Sequence, residues 1–211
     1  MLQLPECKRT VNLERYRYIL PYHKQKRKKT STPVFIAKGA DILINCAEVL
    51  KRFQSLEPFA LYIQQNLEQV ERLGKKRLAI REVLLQSFSY AEMSYRKLSA
   101  VLDGVDHVMY LNLHSIINKI AVFDYEEYQQ LNQLEWNRDE LAREKMDIYQ
   151  TDITFVQQAT RNNEEILLKL DRLLLEVTQF NSMKEDIMDM PAIKELDRLI
   201  SSVRLYRQET L

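Results

Sequence analysis

Residues 124–190 read DYEEYQQLNQLEWNRDELAREKMDIYQTDITFVQQATRNNEEILLKLDRLLLEVTQFNSMKEDIMDM, and no Gly or Pro interrupts them. Gly and Pro are the residues that most readily stop a helix, and the first of either after Gly104 is Pro191. In the second half of the stretch Ala159, Ile166, Leu173, Phe180 and Ile187 occupy one heptad position, and Val156, Leu170 and Val177 occupy the other. That is the spacing of a coiled-coil seam, so the segment asks for a partner helix. Its start is marked by Phe123-Asp124-Tyr125-Glu126-Glu127-Tyr128. Asp124 can cap the first amides, Glu127 can reach back to the cap residue, and Phe123 can staple to Tyr128. The spacing predicts one helix of about 65 residues, roughly 95 Å long if straight.

The first half of this helix is less regular. Lys145 and Asp152 fall on the seam register where apolar groups belong, with Ala142 and Tyr149 as the intervening positions. Leu131, Leu134, Leu141, Ile148 and Phe155 mark a stripe on a neighbouring face, so the contact surface is expected to rotate or change partner midway, near Asn162 and Asn163. Trp136 lies off that stripe. The residues Trp136, Leu141, Lys145, Ile148 and Asp152 form the candidate partner interface.

Upstream, Ile42, Leu43, Cys46, Val49, Leu50 and Phe53 recur at three- and four-residue steps and predict a first amphipathic helix ending near Leu56. Pro58 suits the first turn of a second, where its missing amide donor costs nothing. Phe59, Ile63, Leu67, Val70 and Leu73 make its inner stripe, and Ile80, Leu84, Ala91, Tyr95, Leu98 and Val101 continue that register past Gly74. One long, bent helix from Pro58 to Leu102 is therefore expected, stopped at Asp103-Gly104. A shorter helix follows to Ala121, and Ile193, Leu196, Leu199, Ile200 and Val203 give a last one after Pro191.

Three Gly and five Pro in 211 residues leave few turns, which favours long helices over any sheet-based class. The expected fold is all-α: an elongated antiparallel helical bundle of about five helices, two very long, with coiled-coil-like stretches. Residues 1–33 form a separate basic flexible arm and 34–211 a single helical domain. The arm holds nine Lys/Arg against two Glu, a local charge of +7, and leaves 22 basic and 28 acidic residues of the totals 31 and 30 for the body. Two cysteines without a CxxC pattern fit ordinary thiols in a reducing compartment. No run approaches the roughly 18–20 uncharged apolar residues that a bilayer span needs, and no secretory pattern opens the chain, so no transmembrane segment and a cytoplasmic location are expected.

Catalytic chemistry finds little purchase in this sequence. Gly39, Gly74 and Gly104 are too isolated for a phosphate loop, and neither His107 nor His114 has the Glu three residues before it that a carboxylate-bridged di-iron bundle requires. Paired acids alternate with Lys, Arg and Gln as on solvated helix faces. No catalytic residue, metal or cofactor is expected. The leading expectation is a non-enzymatic interaction or scaffold protein that presents long helix faces to itself or to partner helices. An alternative uses the arm: Lys24, Lys26, Arg27, Lys28 and Lys29, close to Tyr16, Tyr18 and Tyr22, could grip the phosphates of a nucleic acid or an anionic membrane surface. A third is a metal-dependent enzyme built on Asp103, Asp106, His107 and His114.

Overall fold

The computed structural model describes residues 38–90, 92–133, 139–179 and 189–208, and among them are six α-helices and no strand. They are α1 (Lys38–Lys51), α2 (Ala60–Ser87), α3 (Met93–Val122), α4 (Tyr125–Gln133), α5 (Glu140–Gln179) and α6 (Pro191–Gln208). The fold is all-α. All six helices belong to one compact unit, residues 36–211. The basic arm with Lys24, Lys26, Arg27, Lys28 and Lys29 lies outside the described residues, as do Ala91, Leu134, Trp136, Phe180 and Ile187.

Helix α1 ends at Lys51, short of the expected Leu56, in turns closed by Arg52 N–H to the Val49 carbonyl and Phe53 N–H to the Leu50 carbonyl. Two longer helices are divided where continuity was expected, and local chemistry explains both. Asp103-Gly104 is interior to α3, and the break falls instead after Ser87, with α3 beginning at Met93. Phe88 takes an extended backbone there while its N–H still reaches the Leu84 carbonyl at 2.8 Å. Ser89 N–H donates to the Glu92 carboxylate at 2.7 Å and the Glu92 N–H to the Ser89 carbonyl at 3.1 Å, closing a turn ahead of α3. The predicted 65-residue helix is likewise divided, since α4 ends at Gln133 and α5 begins after Asp139. The Asp139 carboxylate accepts the Leu141 N–H at 3.1 Å, so an Asp cap restarts the helix without any Gly or Pro. Glu127 then pairs with Lys145 at 2.5 Å, eighteen residues on. In an unbroken helix those positions would lie roughly 27 Å apart, so the chain has turned back on itself.

The start of α4 follows the expectation in part. Asp124 Oδ1 accepts the Glu127 N–H at 3.0 Å, and the Phe123 and Tyr128 rings are 5.2 Å apart. The Glu127 carboxylate does not reach back to the cap, because Lys145 and Tyr149 hold it. Pro191 opens α6, and the Glu176 carboxylate of α5 accepts the next amide, that of Ala192, at 3.1 Å. An acidic group thereby satisfies an N-terminal donor that the helix itself leaves unpaired.

Packing centres on α3 and α5. Helix α3 meets α1, α2, α5 and α6, and α5 meets α2, α3, α4 and α6. Leu98, Val105, Met109, Leu113 and Ile116 of α3 are fully buried, as are Val156, Ile166, Leu170 and Leu173 of α5. Each such side chain contributes about 1.5–3 kcal/mol by leaving water. Cross-helix bonds give the directions. Lys119–Asp152 and Asn112–Asn163 run in opposite order, so α3 and α5 are antiparallel. Asn66–Thr160, Arg72–Glu164 and Lys76–Asp171 rise together, so α2 and α5 are parallel.

Two faces differ from their predicted stripes. On α2, Asn66 and Gln69 are buried while Leu67 and Val70 are half-buried. On α1, Leu43, Cys46, Val49 and Leu50 are buried, but Ile42 stays 37 % exposed at the edge.

Gly74 of α2 and Gly104 of α3 carry opposite expectations. A Cβ at Gly74 would have nothing within 4 Å, whereas one at Gly104 would fall 2.6 Å from Cδ1 and 3.2 Å from Cγ1 of Ile200. Gly104 therefore lets α3 and α6 approach closely. Gly74→Ala is expected to raise stability by about 0.5–1 kcal/mol, through helix propensity alone. Gly104→Ala is expected to lower it by about 1 kcal/mol or more through overpacking, whereas the same change made in an Ile200→Ala background should cost little relative to Ile200→Ala alone. Urea unfolding of these four variants checks both signs.

Candidate functional site

Helix α5 carries the predicted partner interface, and its first half has two distinct sides. On the inner side, Met146, Tyr149 and Val156 are buried. Tyr149 O–H donates to Glu127 at 2.5 Å, and its ring packs 4.9 Å from Phe123 and 5.7 Å from Tyr128. Burial, and after it the bond to Glu127, pushes the Tyr149 hydroxyl above the ordinary tyrosine range. The Lys145 ammonium, and after it the Tyr149 hydroxyl, holds the Glu127 carboxyl below the usual carboxylate value, and Glu127 in turn raises Lys145.

Lys145 and Asp152 sit half-buried on the seam register, where apolar side chains were expected. Each is tolerated because a neighbouring helix supplies its counter-charge: Glu127 of α4 for Lys145, and Lys119 of α3 at 2.5 Å for Asp152. Lys119 also stands 5.7 Å from the centre of the Phe155 ring. The predicted change of partner along the helix is present: α5 meets α4 and the end of α3 first, then α2 through Asp171 and α6 through Lys169.

The predicted stripe on the neighbouring face is corrected in one respect, because it is not a packed face of this chain. Leu131 is buried, but Leu141, Ile148 and Phe155 are 61 %, 59 % and 40 % exposed. Glu140, Glu144 and Asp147, also exposed, border this row on its solvent side. Of the five predicted interface residues, the structure thus places Leu141 and Ile148 on the surface and ties Lys145 and Asp152 to the body.

A second constellation escaped the sequence reading. Asn112 of α3 donates to Asn163 of α5 at 2.8 Å, Asn163 donates to Asn66 of α2 at 2.8 Å, and Asn66 donates to Thr160 at 2.7 Å. Gln69 then donates to the Thr160 carbonyl and the Glu164 carboxylate, each at 3.1 Å, and Arg72 clamps Glu164 with two bonds of 2.9 Å. Arg72, ahead of Gln69, lowers the Glu164 carboxyl, and Glu164 raises Arg72. A cleft of 590 Å³ lies over this network between α2 and α5, bordered by Tyr62, Gln65, Gln157 and Arg161. The signal available in the sequence was Asn163, a polar residue on the heptad position of Val156, Leu170 and Val177.

At the Asp103/His107 corner Asp106 is buried, whereas Asp103 stays exposed. Arg77 of α2 donates to Asp103 at 2.6 Å and ion-pairs with the buried Asp106. His107 is exposed, its ring 6.4 Å from that of Tyr110, and His114 Nδ1 lies 3.1 Å from the Asn118 amide nitrogen. Among the described residues no group of three or more His, Cys, Asp and Glu side chains is placed to share a metal ion. Among the same residues no helix is long and apolar enough to cross a membrane. No protein-family model, curated protein sequence or solved structure matches the chain.

Proposed function

We propose that this chain is a non-enzymatic helical interaction protein whose first half of α5 is offered to a partner helix. The observation that carries the reading is the row Leu141, Ile148 and Phe155, which repeats every seven residues and stays exposed while the opposite side of the same helix is packed. Exposed apolar residues scattered singly are ordinary on protein surfaces, but three in heptad register on one helix are the half-seam of a coiled coil. Helices recognise one another through such rows, with anchors at i and i+7. The ion pairs of Lys145 and Asp152 support the reading too, since they fix the rotation of α5 and keep the row turned outward.

Crosslinking with mass spectrometry in native lysate tests it. The wild-type chain is expected to yield reproducible inter-protein crosslinks around residues 140–158, lost in the Leu141→Ser/Ile148→Ser variant. Both substitutions lie on exposed positions, so the melting temperature should hold. A variant that keeps the same crosslinks, or a wild-type chain that forms none there, overturns the proposal.

A further inference from the structure

We infer that the partner helix of α5 carries an apolar stripe bordered by Lys and Arg. This rests on the interaction reading above and adds the partner's charge. From Leu141 to Phe155 the apolar row extends about 21 Å along the helix, long enough to seat three successive heptad residues of a second helix. Towards the protein body the row is closed by Lys145–Glu127 and Asp152–Lys119, whose charges are already neutralised within the chain.

Towards solvent, the positions next around the helix are Glu140, Glu144, Asp147, Thr151, Thr154 and Gln158, all exposed. Three of these are acidic and none is basic. In paired helices the residues flanking the apolar stripe choose the partner by charge, and like charges set against each other are penalised.

That edge discriminates among occupants. A second copy of the chain, laid antiparallel about Ile148, would bring Asp147 against Asp147. A nucleic acid or an anionic bilayer would meet the same three carboxylates and be repelled. A helix bordered by Lys or Arg instead places its cations over Glu140, Glu144 and Asp147 as its Leu or Ile side chains cover Leu141 and Ile148.

The test uses the full chain and two synthetic amphipathic peptides of about three heptads, identical in their Leu positions but carrying Lys or Glu at the flanking positions. Fluorescence anisotropy at low salt is expected to show the Lys peptide binding about tenfold more tightly, with the advantage shrinking as salt screens it. Glu144→Lys/Asp147→Lys should reverse the preference, and Ile148→Ser should weaken the favoured peptide in either background. Equal binding of the two peptides, or a preference unmoved by the charge reversal, overturns the inference. So does a dimer in sedimentation that Ile148→Ser dissociates, since the occupant is then a second copy. If neither peptide binds but the lysate crosslinks at 140–158 persist in the wild type and vanish in the variant, the basic partner is refuted while the interaction reading stands.

Discussion

Asp106→Ala is expected to cost about 3 kcal/mol, the lower part of the range for breaking a buried ion pair by removing one member. Asp106 is 4 % exposed and Arg77 9 %, and their pairing joins α3 to α2 in the interior. Burial pulls the Arg77 guanidinium below its ordinary pKa, against the opposing pull of Asp103, yet an arginine keeps its charge. Without Asp106 that charge stays desolvated, with only the largely exposed Asp103 carboxylate at 2.6 Å to answer it. Asp103→Ala alone should cost under about 1 kcal/mol, as exposed pairs do. Replacing both interior partners, Arg77→Met with Asp106→Leu, should recover most of the loss, because two apolar groups need no compensation. Urea unfolding of the three variants measures the pattern, and a double variant as unstable as Asp106→Ala would contradict it.

Phe123→Ala should be at least as damaging, about 3–5 kcal/mol for a large ring removed from a packed site. Phe123 joins α3 to α4, and three rings converge on it: Phe59 at 4.7 Å, Tyr149 at 4.9 Å and Tyr128 at 5.2 Å. The first two meet it nearly edge to face, an arrangement worth about 0.5–1.5 kcal/mol per pair beyond simple burial. The substitution therefore loosens the place where α5 is folded back onto α4. Phe123→Leu should restore roughly half of the loss by refilling volume without the ring contacts. Chemical denaturation gives the energies, and the near-ultraviolet circular dichroism of the tyrosines reports the cluster directly. A variant that unfolds like the wild type, with an unchanged tyrosine signal, would show that the cluster does not hold this corner.

What could be read in advance was whatever depends on neighbours in sequence. The all-helical class followed from the scarcity of Gly and Pro and from three- and four-residue apolar steps, and the start of α4 followed from Asp124. Continuity was overestimated for the same reason. The breaks before Met93 and before Glu140 fall at Ser89, Glu92 and Asp139, whose short-range hydrogen bonds look like ordinary surface polarity inside a helical run. Gly104 was misassigned because a glycine that ends a helix and one that admits a neighbouring helix look alike until Ile200 is seen beside it. The burial of Asn66 and Gln69 left no local sign either, since their partners Thr160 and Asn163 lie more than ninety residues away. The candidate surface divided on similar grounds. Leu141 and Ile148 were found by spacing, but only the positions of Glu127 and Lys119 reveal that Lys145 and Asp152 face inward.

The parallel pairing of α2 with α5 has a consequence for how the chain reaches a single structure. Neighbouring helices joined by a short turn inherit their alignment from that turn, but α2 and α5 are separated by all of α3 and α4, and no connection sets how far one slides along the other. Apolar side chains would accept several alignments almost equally well. The bonds from Asn163 to Asn66, from Asn66 to Thr160 and from Gln69 to Thr160 would not. A slip of one helical turn, about 5.4 Å, would leave buried amide groups unanswered at about 1–3 kcal/mol each. These side chains therefore act as a ruler, rejecting misaligned packings during folding.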